Sequence, residues 1–205
     1  APGQETTVTF AAYNPTTVGL NTMTVSVPAD QVALNDTKSW VQETTTNTFA
    51  YADSTLTGLG GVGYNTGSGL LLTRYFVDGP ASVNSVNVHI ATGAAITGNT
   101  VYAVLIDTSG TIVAQSANYT IVAGDLGTWK TFTLNTPVNF DTEDIYVGLA
   151  QTANANTGYF PVSFQSENPT RPAAYYTAAL TPAGLSPVSG FRLLVEAVVA
   201  PACAV

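Results

Sequence analysis

The sequence predicts an all-β fold, namely a jelly-roll-like antiparallel β-sandwich with an N-terminal partial Ig-like strand segment. Three observations support this prediction. Apolar and polar residues alternate with a period of two in many short segments. Turn-forming residues recur roughly every 8–14 positions between those segments. No stretch of about ten or more residues shows the helical period. These patterns indicate about eleven or twelve strands.

The stretch Val101–Ile121 carries the clearest strand signal and predicts a β-hairpin. Its first arm is apolar at successive positions, so both faces of the arm can be buried. Asp107–Gly110 supplies the turn, because Asp bonds nearby backbone amides and Gly accepts a positive φ. The return arm, Thr111–Ile121, is rich in β-branched residues. We expect this hairpin to be scaffold and not a working surface.

The rest of a sandwich domain spanning residues 41–200 is assigned by the same patterns. Leu70–Val77 is dense enough in apolar residues to be a central strand, and Val83–Ile90 directs alternate apolar residues inward. Residues 201–205 are interpreted as a linker or the start of a further segment. The remaining predicted strands are Thr48–Ala52, Thr128–Leu134, Asp144–Thr152, Gly158–Gln165, Ala173–Ala178 and Phe191–Ala200.

Residues 1–40 form a different region, with too few strands for a domain of its own. Short alternating patterns predict strands at Val8–Phe10 and around Met23, Val25 and Val27. Two or three strands leave an open edge and an uncovered apolar face. Either this region packs on the sandwich, or strands from another chain complete it and build head-to-tail filaments. The residues assigned to such assembly are Val8, Phe10, Met23, Val25 and Val27.

Several stretches resemble known surface-protein modules. The segment PADQVALNDTK at 28–38 resembles the second half of a CARDB-like Ig-type repeat. The stretches VYAVLIDTSGTIVAQSANYTI, IYVGLAQTANANTGYFPVSFQSENPTRPAAYYT and GFRLLVEAVV resemble a β-sandwich module of large multi-domain surface proteins of Bacteroidota. This second resemblance covers roughly residues 48–200. It implies cargo of the type IX secretion system, of the adhesin or gliding-filament type, and a secreted or cell-surface location.

The charge balance argues against nucleic acid as a partner, and the length of the apolar runs argues against insertion into a membrane. Five Lys and Arg residues stand against thirteen Asp and Glu, which gives a net charge of −8. Nucleic-acid binding requires a basic surface that this chain cannot provide. Charged residues make up only 9% of the chain, against about 25% in typical soluble domains. No apolar run approaches the ~20 residues of a membrane-spanning helix, so we expect no membrane insertion.

Catalytic constellations are not apparent in the sequence. His89 is the single histidine and lies on the polar face of a predicted strand, without a G-x-S-x-G nucleophile motif. One His and one Cys do not suffice for a zinc site. We therefore expect that the chain is not an enzyme.

An acidic cluster and a set of loop residues are the candidate binding sites. Asp141, Glu143 and Asp144 are interpreted as solvated turn acids or as ligands for Ca²⁺, and we expect no other cofactor. A glycan could stack on aromatic rings that lie near amide groups. The alternative is that these aromatic residues are ordinary members of the core or its rim. The residues assigned to this glycan site are Tyr64, Tyr159, Asn154, Asn156 and Arg171.

The sequence contains three short motifs that match glycosylation signals. Asn35 and Asn118 begin N-x-Ser/Thr sequons. Ser54 matches the Asp-Ser/Thr-x pattern used for O-glycosylation in the organisms whose surface modules this chain resembles.

We expect a non-enzymatic structural or adhesive module. Its partners would be copies of itself or neighbouring domains of a longer chain. The alternative is a carbohydrate-binding module of a secreted multi-domain protein.

Overall fold

The protein is all-β, as the sequence predicts. The computed structural model describes residues 6–11, 13, 15–53, 56–167 and 171–201. Strands make up 52% of the described residues, and no helix among them reaches seven residues. The chain divides into two compact units, Ala1–Thr46 and Asn47–Val205, which we call the first and second units. Within the described residues, no helix is long and apolar enough to cross a membrane.

The described residues form sixteen strands, joined by turns and three short 3-10 helices. The 3-10 helices are Ala33–Asn35, Ala94–Ile96 and Ala123–Asp125. The strands are β1 Gly19–Ser26, β2 Thr37–Thr44, β3 Thr48–Ala50, β4 Gly60–Val62, β5 Gly69–Val77, β6 Ala81–His89, β7 Thr100–Ile106, β8 Ile112–Gln115, β9 Tyr119–Thr120, β10 Trp129–Phe140, β11 Glu143–Gln151, β12 Val162–Ser166, β13 Ala174–Thr177, β14 Ser186–Val188, β15 Phe191–Leu193 and β16 Val195–Pro201.

The first unit contains a single antiparallel ribbon, β1–β2. Met23 is opposite Trp40 in this ribbon, and Val25 is opposite Lys38. Residues directly opposite each other share a face, so Met23, Val25 and Trp40 form the apolar part of one face, which also carries Lys38. The other face is hydroxyl-rich, and on it Thr24 and Ser39 are hydrogen-bonded at 2.9 Å.

Two expectations for the first unit need revision. The predicted strand Val8–Phe10 is wrong, because this segment pairs with no strand in the described part of the chain. The predicted boundary after residue 40 falls inside β2. Because β2 pairs with β1 along its whole length, the structure divides the chain after Thr46 instead.

The second unit is built from three antiparallel sheets. One has the strand order β10-β6-β16-β3, and a second has the order β14-β13-β5-β11-β7-β8, with β9 also paired to β7. The third has the order β15-β12-β4. The main core lies between their inner faces, where alternate residues of the strands interdigitate. Its fully buried members include Val83, Val86, Ile145, Val147 and Leu149.

The predicted hairpin is present in the seven-stranded sheet. The Asp107 carboxylate accepts hydrogen bonds from the Ser109 hydroxyl and the Thr111 amide, and Gly110 has φ +78°. The predicted return arm is divided into β8 and β9. At the break, the Ser116 hydroxyl accepts the Ala103 amide hydrogen bond at 2.9 Å in place of a backbone carbonyl.

A second, smaller core covers the outer face of the seven-stranded sheet. Leu70, Leu72, Val104 and Ile106 are fully buried there. Tyrosine side chains of the sheet and Leu180 and Leu185 of the β13–β14 connection pack over them. Burial on both faces explains why β5 and β7 are apolar at successive positions.

The glycine-rich stretch 58–69 contains a strand that alternation could not predict. β4 pairs with β12, and its Gly61 lies so close to the Phe160 carbonyl that a Cβ would stand 2.2 Å from that oxygen. The predicted strand Phe191–Ala200 is divided at Leu194 into β15 and β16, which belong to different sheets. Pro201 ends β16, and the rest of the predicted linker lies outside the described residues.

Candidate functional site

A fully buried glutamine joins two loops at one end of the second unit. Gln151 is the last residue of β11. Its Oε1 accepts the Tyr64 amide hydrogen bond at 2.9 Å, and its Nε2 donates to the carbonyls of Asn65 at 3.0 Å and Tyr159 at 3.2 Å. The side chain therefore ties the glycine-rich loop to the loop that precedes β12. These are the two loops that carry most of the predicted glycan residues.

The two loops also bond each other directly. Asn65 has φ +57°, a left-handed conformation that asparagine tolerates better than most residues. Its carboxamide oxygen accepts the Gly158 amide hydrogen bond at 2.6 Å. The Asn154 amide donates to the Thr66 carbonyl at 3.1 Å. The structure thus brings together loops that lie almost a hundred positions apart in the sequence.

The predicted glycan residues on these loops differ in accessibility. Tyr159 is 0% exposed, so its ring has no free face and the structure removes it from the predicted stacking surface. Asn156 is exposed, and its amide bonds the Asn154 carboxamide oxygen at 2.5 Å. Asn154 is half-buried. Its Nδ2 is buried and finds no hydrogen-bond partner among the described residues.

Tyr64 is half-buried and forms part of the wall of a cavity. Its hydroxyl donates to the Leu70 carbonyl at 2.6 Å. Burial raises the pKa of the Tyr64 hydroxyl to about 12, although a hydrogen bond with the Thr177 backbone lowers it. The Tyr64 ring lies where a side chain on Gly69 would be, since a Cβ there would stand 2.4 Å from the ring. The ring is thereby fixed in place.

Arg171 lies in a separate charged network. Its Nε donates to the Glu167 carboxylate, and its guanidinium stands 4.4 Å from the centre of the Tyr51 ring. Arg192 is 3.9 Å from both Glu167 and Asp53, and its Nε donates to Gln165 at 3.0 Å. The structure therefore places Arg171 with these structural ion pairs and apart from the loops that Gln151 joins.

The three acids of the proposed calcium site lie at the β10–β11 turn. Asp141 is exposed, whereas Glu143 and Asp144 begin β11 and are half-buried. Asp144 stands 3.9 Å from the Arg74 guanidinium. Among the described residues, no group of three or more His, Cys, Asp or Glu side chains is placed to hold a metal ion. Calcium binding by these residues stays a prediction.

A histidine–serine contact was not apparent from the sequence. The His89 Nδ1 and Ser163 Oγ atoms are 2.8 Å apart, and the His89 ring packs edge-on against Trp129. Ser163 is 3% exposed, beneath Gly58. A substrate cannot reach its oxygen in this conformation, so the geometry supports a structural role. No local sequence signal predicts the contact, because its partners are 74 positions apart.

The outer face of the seven-stranded sheet carries a second group of polar and aromatic side chains. Tyr146 and Tyr175 pack edge to face with ring centres 5.2 Å apart. The Arg74 guanidinium lies 5.7 Å from the Tyr175 ring centre and also pairs with Asp144. Phe76 on the same face is 56% exposed. We call these five residues the outer-face cluster.

The first unit exposes the assembly residues to different extents. Val8, Phe10 and Val27 are more than half exposed, whereas Met23 and Val25 are half-buried on the apolar face of the β1–β2 ribbon. Of the predicted glycosylation residues, Asn35 and Asn118 are exposed. Ser54 lies outside the described residues. All three modifications stay predictions.

Comparison with known proteins does not assign the chain to a family. No protein-family model matches it, and a search of curated proteins found no significant match.

We predict that Gln151→Leu destabilises the second unit by about 3 kcal/mol or more. The substitution leaves at least three backbone groups in the interior without partners, at roughly 1–3 kcal/mol each. Urea denaturation measures the change. Gln115→Leu, at an exposed position of β8, is the control and should stay within about 0.5 kcal/mol of the wild type. Equal stability of the two variants would contradict this role.

We predict that the stability of the second unit falls as the pH drops below about 6.5, the unperturbed His value. Burial lowers the pKa of His89, and a hydrogen bond with Gly127 only partly offsets this effect. The unfolded chain therefore binds the proton more readily, so stability is complete above about 6.5 and declines towards the lower folded-state pKa. NMR titration of the imidazole and denaturation across pH 5–7 measure both quantities. His89→Gln should remove the decline, and a folded-state pKa at or above 6.5 would refute the assignment.

Proposed function

We propose that this chain is a non-enzymatic structural or adhesive module of an extracellular assembly, of the kind expected of Bacteroidota surface proteins. In this proposal, a strand from a second copy extends the β1–β2 ribbon of the first unit. The observation that carries the proposal is the ribbon itself. A two-stranded sheet is at best marginally stable in water, and a third strand with a covered apolar face gives independent stability.

The distribution of exposed apolar side chains supports this proposal. Contiguous apolar surface on a soluble protein commonly marks an interaction site. The first unit is short, yet it carries most of the large apolar side chains that are exposed among the described residues. They are Val8, Phe10, Tyr13, Val18, Leu20, Val27, Val32, Leu34, Trp40 and Val41.

Backbone pairing gives such an assembly its geometry. Both β1 and β2 are edge strands within the described part of the chain, so each presents unpaired amides and carbonyls. A strand added to either edge forms main-chain hydrogen bonds, while the Met23, Val25 and Trp40 face supplies apolar contacts. If the donor and acceptor surfaces differ, the contact is heterologous and propagates into a filament.

We predict that the full chain forms oligomers that grow with concentration and that Met23→Asp/Val25→Asp abolishes them. The carboxylate at position 23 would have to be buried against Trp40 without a partner in the assembled state, and the one at position 25 would replace an apolar contact beside Lys38. Size-exclusion chromatography with light scattering, together with electron microscopy, measures the assembly.

The matched control is Thr22→Asp/Thr24→Asp, which adds the same charge to the same strand on the opposite face. This control should still assemble. A wild-type chain that stays monomeric at every concentration would refute the proposal. So would equal assembly of the control and the apolar-face variant.

Carbohydrate binding is a second candidate function, favoured by the outer-face cluster. Rings near an Arg and a carboxylate offer both stacking surface and hydrogen-bonding groups to sugar hydroxyls. The side chains of Arg74 and Asp144 are 35% and 40% exposed, so both are accessible. In this second proposal the candidate glycan surface is the outer sheet face and not the loops named in the sequence analysis.

We predict that, if a glycan array identifies a ligand, Arg74→Gln weakens its binding at least about tenfold. This loss corresponds to about 1.4 kcal/mol, within the range for hydrogen bonds to charged groups. Arg171→Gln is the control and should bind normally. Loss of binding in the Arg171 variant alone would return the site to the residues that the sequence suggested, and an array without any ligand would exclude this second function.

A further inference from the structure

A cavity of about 270 Å³ opens at one edge of the second unit. It lies where the β5–β13–β14 part of the seven-stranded sheet faces the three-stranded sheet. The cavity exists because the side chains of the two sheets do not meet at this edge. We call it the edge pocket. Its walls include Val62, Tyr64, Leu71, Tyr176, Phe191 and Leu193.

The floor of the edge pocket is hydrophobic core, and its rim is accessible. Leu71 and Leu193 are 6% and 2% exposed, whereas Tyr176 is 44% exposed. Among the described residues, the lining contains no Asp, Glu, Lys, Arg or His side chain. A charged ligand would thus lose its hydration in this pocket without gaining an ion pair.

Tyr64 contributes its ring to the pocket, since its hydroxyl is already engaged. That hydroxyl donates to the Leu70 carbonyl at 2.6 Å. A sugar requires several free donors and acceptors for its hydroxyl groups, and these walls are dominated by aliphatic and aromatic carbon. The chemistry of the edge pocket therefore favours an apolar ligand over a glycan.

The edge pocket is held open by features that do not depend on a ligand. The Gln151 carboxamide holds the Tyr64 amide at 2.9 Å, and Gly69 leaves room for the Tyr64 ring. Leu71 and Tyr176 are cross-strand partners on β5 and β13. A preformed concave apolar cavity is the usual form of a small-molecule site.

We propose that the edge pocket binds a small uncharged aromatic compound of one or two fused rings. An apolar cavity of about 150 Å³ suffices to bind benzene, so about 270 Å³ accommodates a bicyclic ring. The rings of Tyr64, Tyr176 and Phe191 provide edge-to-face and stacking contacts. This site lies on the second unit and shares one lining residue, Tyr175, with the outer-face cluster.

The test uses indole as the probe and the full chain as the protein. Methyl NMR spectra report on Val62, Leu71, Val188 and Leu193, all of which line the pocket. We expect indole to shift these methyl signals saturably and to give intermolecular NOEs to them. Indole-3-acetate, which adds a negative charge, should bind at least about tenfold more weakly because its carboxylate finds no partner.

Two variants locate the site and guard against misfolding. Val188→Trp fills the pocket from the edge strand β14 and should abolish indole binding. Tyr176→Ser removes an exposed wall with little risk to the core, and should weaken binding at least about tenfold. Trp129→Ser, at an exposed aromatic residue of the four-stranded sheet that does not line the pocket, is the control and should leave indole binding unchanged.

Several results would overturn the proposal. One is the absence of shifts at the pocket methyls up to the solubility limit of indole. Others are unchanged binding in both pocket variants, or indole-3-acetate binding as tight as that of indole. Saturable binding of cellobiose at the same methyls would also refute the apolar class of ligand.

Discussion

The second unit depends on the pairing of backbone groups that its loops bring into the sandwich. A buried amide or carbonyl without a partner is costly, so each needs a local substitute for strand pairing. Gln151 and Gln165 supply it, since each carboxamide offers a donor and an acceptor as a peptide group does. Gln165 accepts the Asp53 amide and donates to the carbonyls of Asp53 and Leu56. Gln151 does the same for Tyr64, Asn65 and Tyr159.

These two glutamine side chains hydrogen-bond the long loops to the strands of the sandwich. The loop around Tyr64 is fixed by Gln151, and the loop around Asp53 is fixed by Gln165 and the adjoining ion pairs of Arg192. Each cationic side chain described in the second unit stands within 4 Å of a carboxylate, as in the Lys130–Asp125 pair at 3.4 Å.

The sequence predicted the strands whose side chains alternate or are buried on both faces, such as β5, β6, β7 and β11. It missed β4, because glycines carry no pattern and Gly61 is required by close backbone approach. It placed a strand at Val8–Phe10, where alternation exists but no pairing partner lies among the described residues. Tyr159 looked exposed because its neighbours are Asn, Thr and Gly, yet the loop around it turns into the core. Such placements depend on contacts between distant segments, which local patterns do not encode.

The two units therefore differ in what they leave unsatisfied. In the second unit, buried glutamines and ion pairs join the loops to the sheets, and the edge pocket and the outer-face cluster are accessible. Within the described residues of the first unit, both edges of the β1–β2 ribbon are unpaired, and one of its faces carries Met23, Val25 and Trp40. Apolar burial is the main source of stability for any small sheet. A ribbon that cannot bury its own face gains most from association.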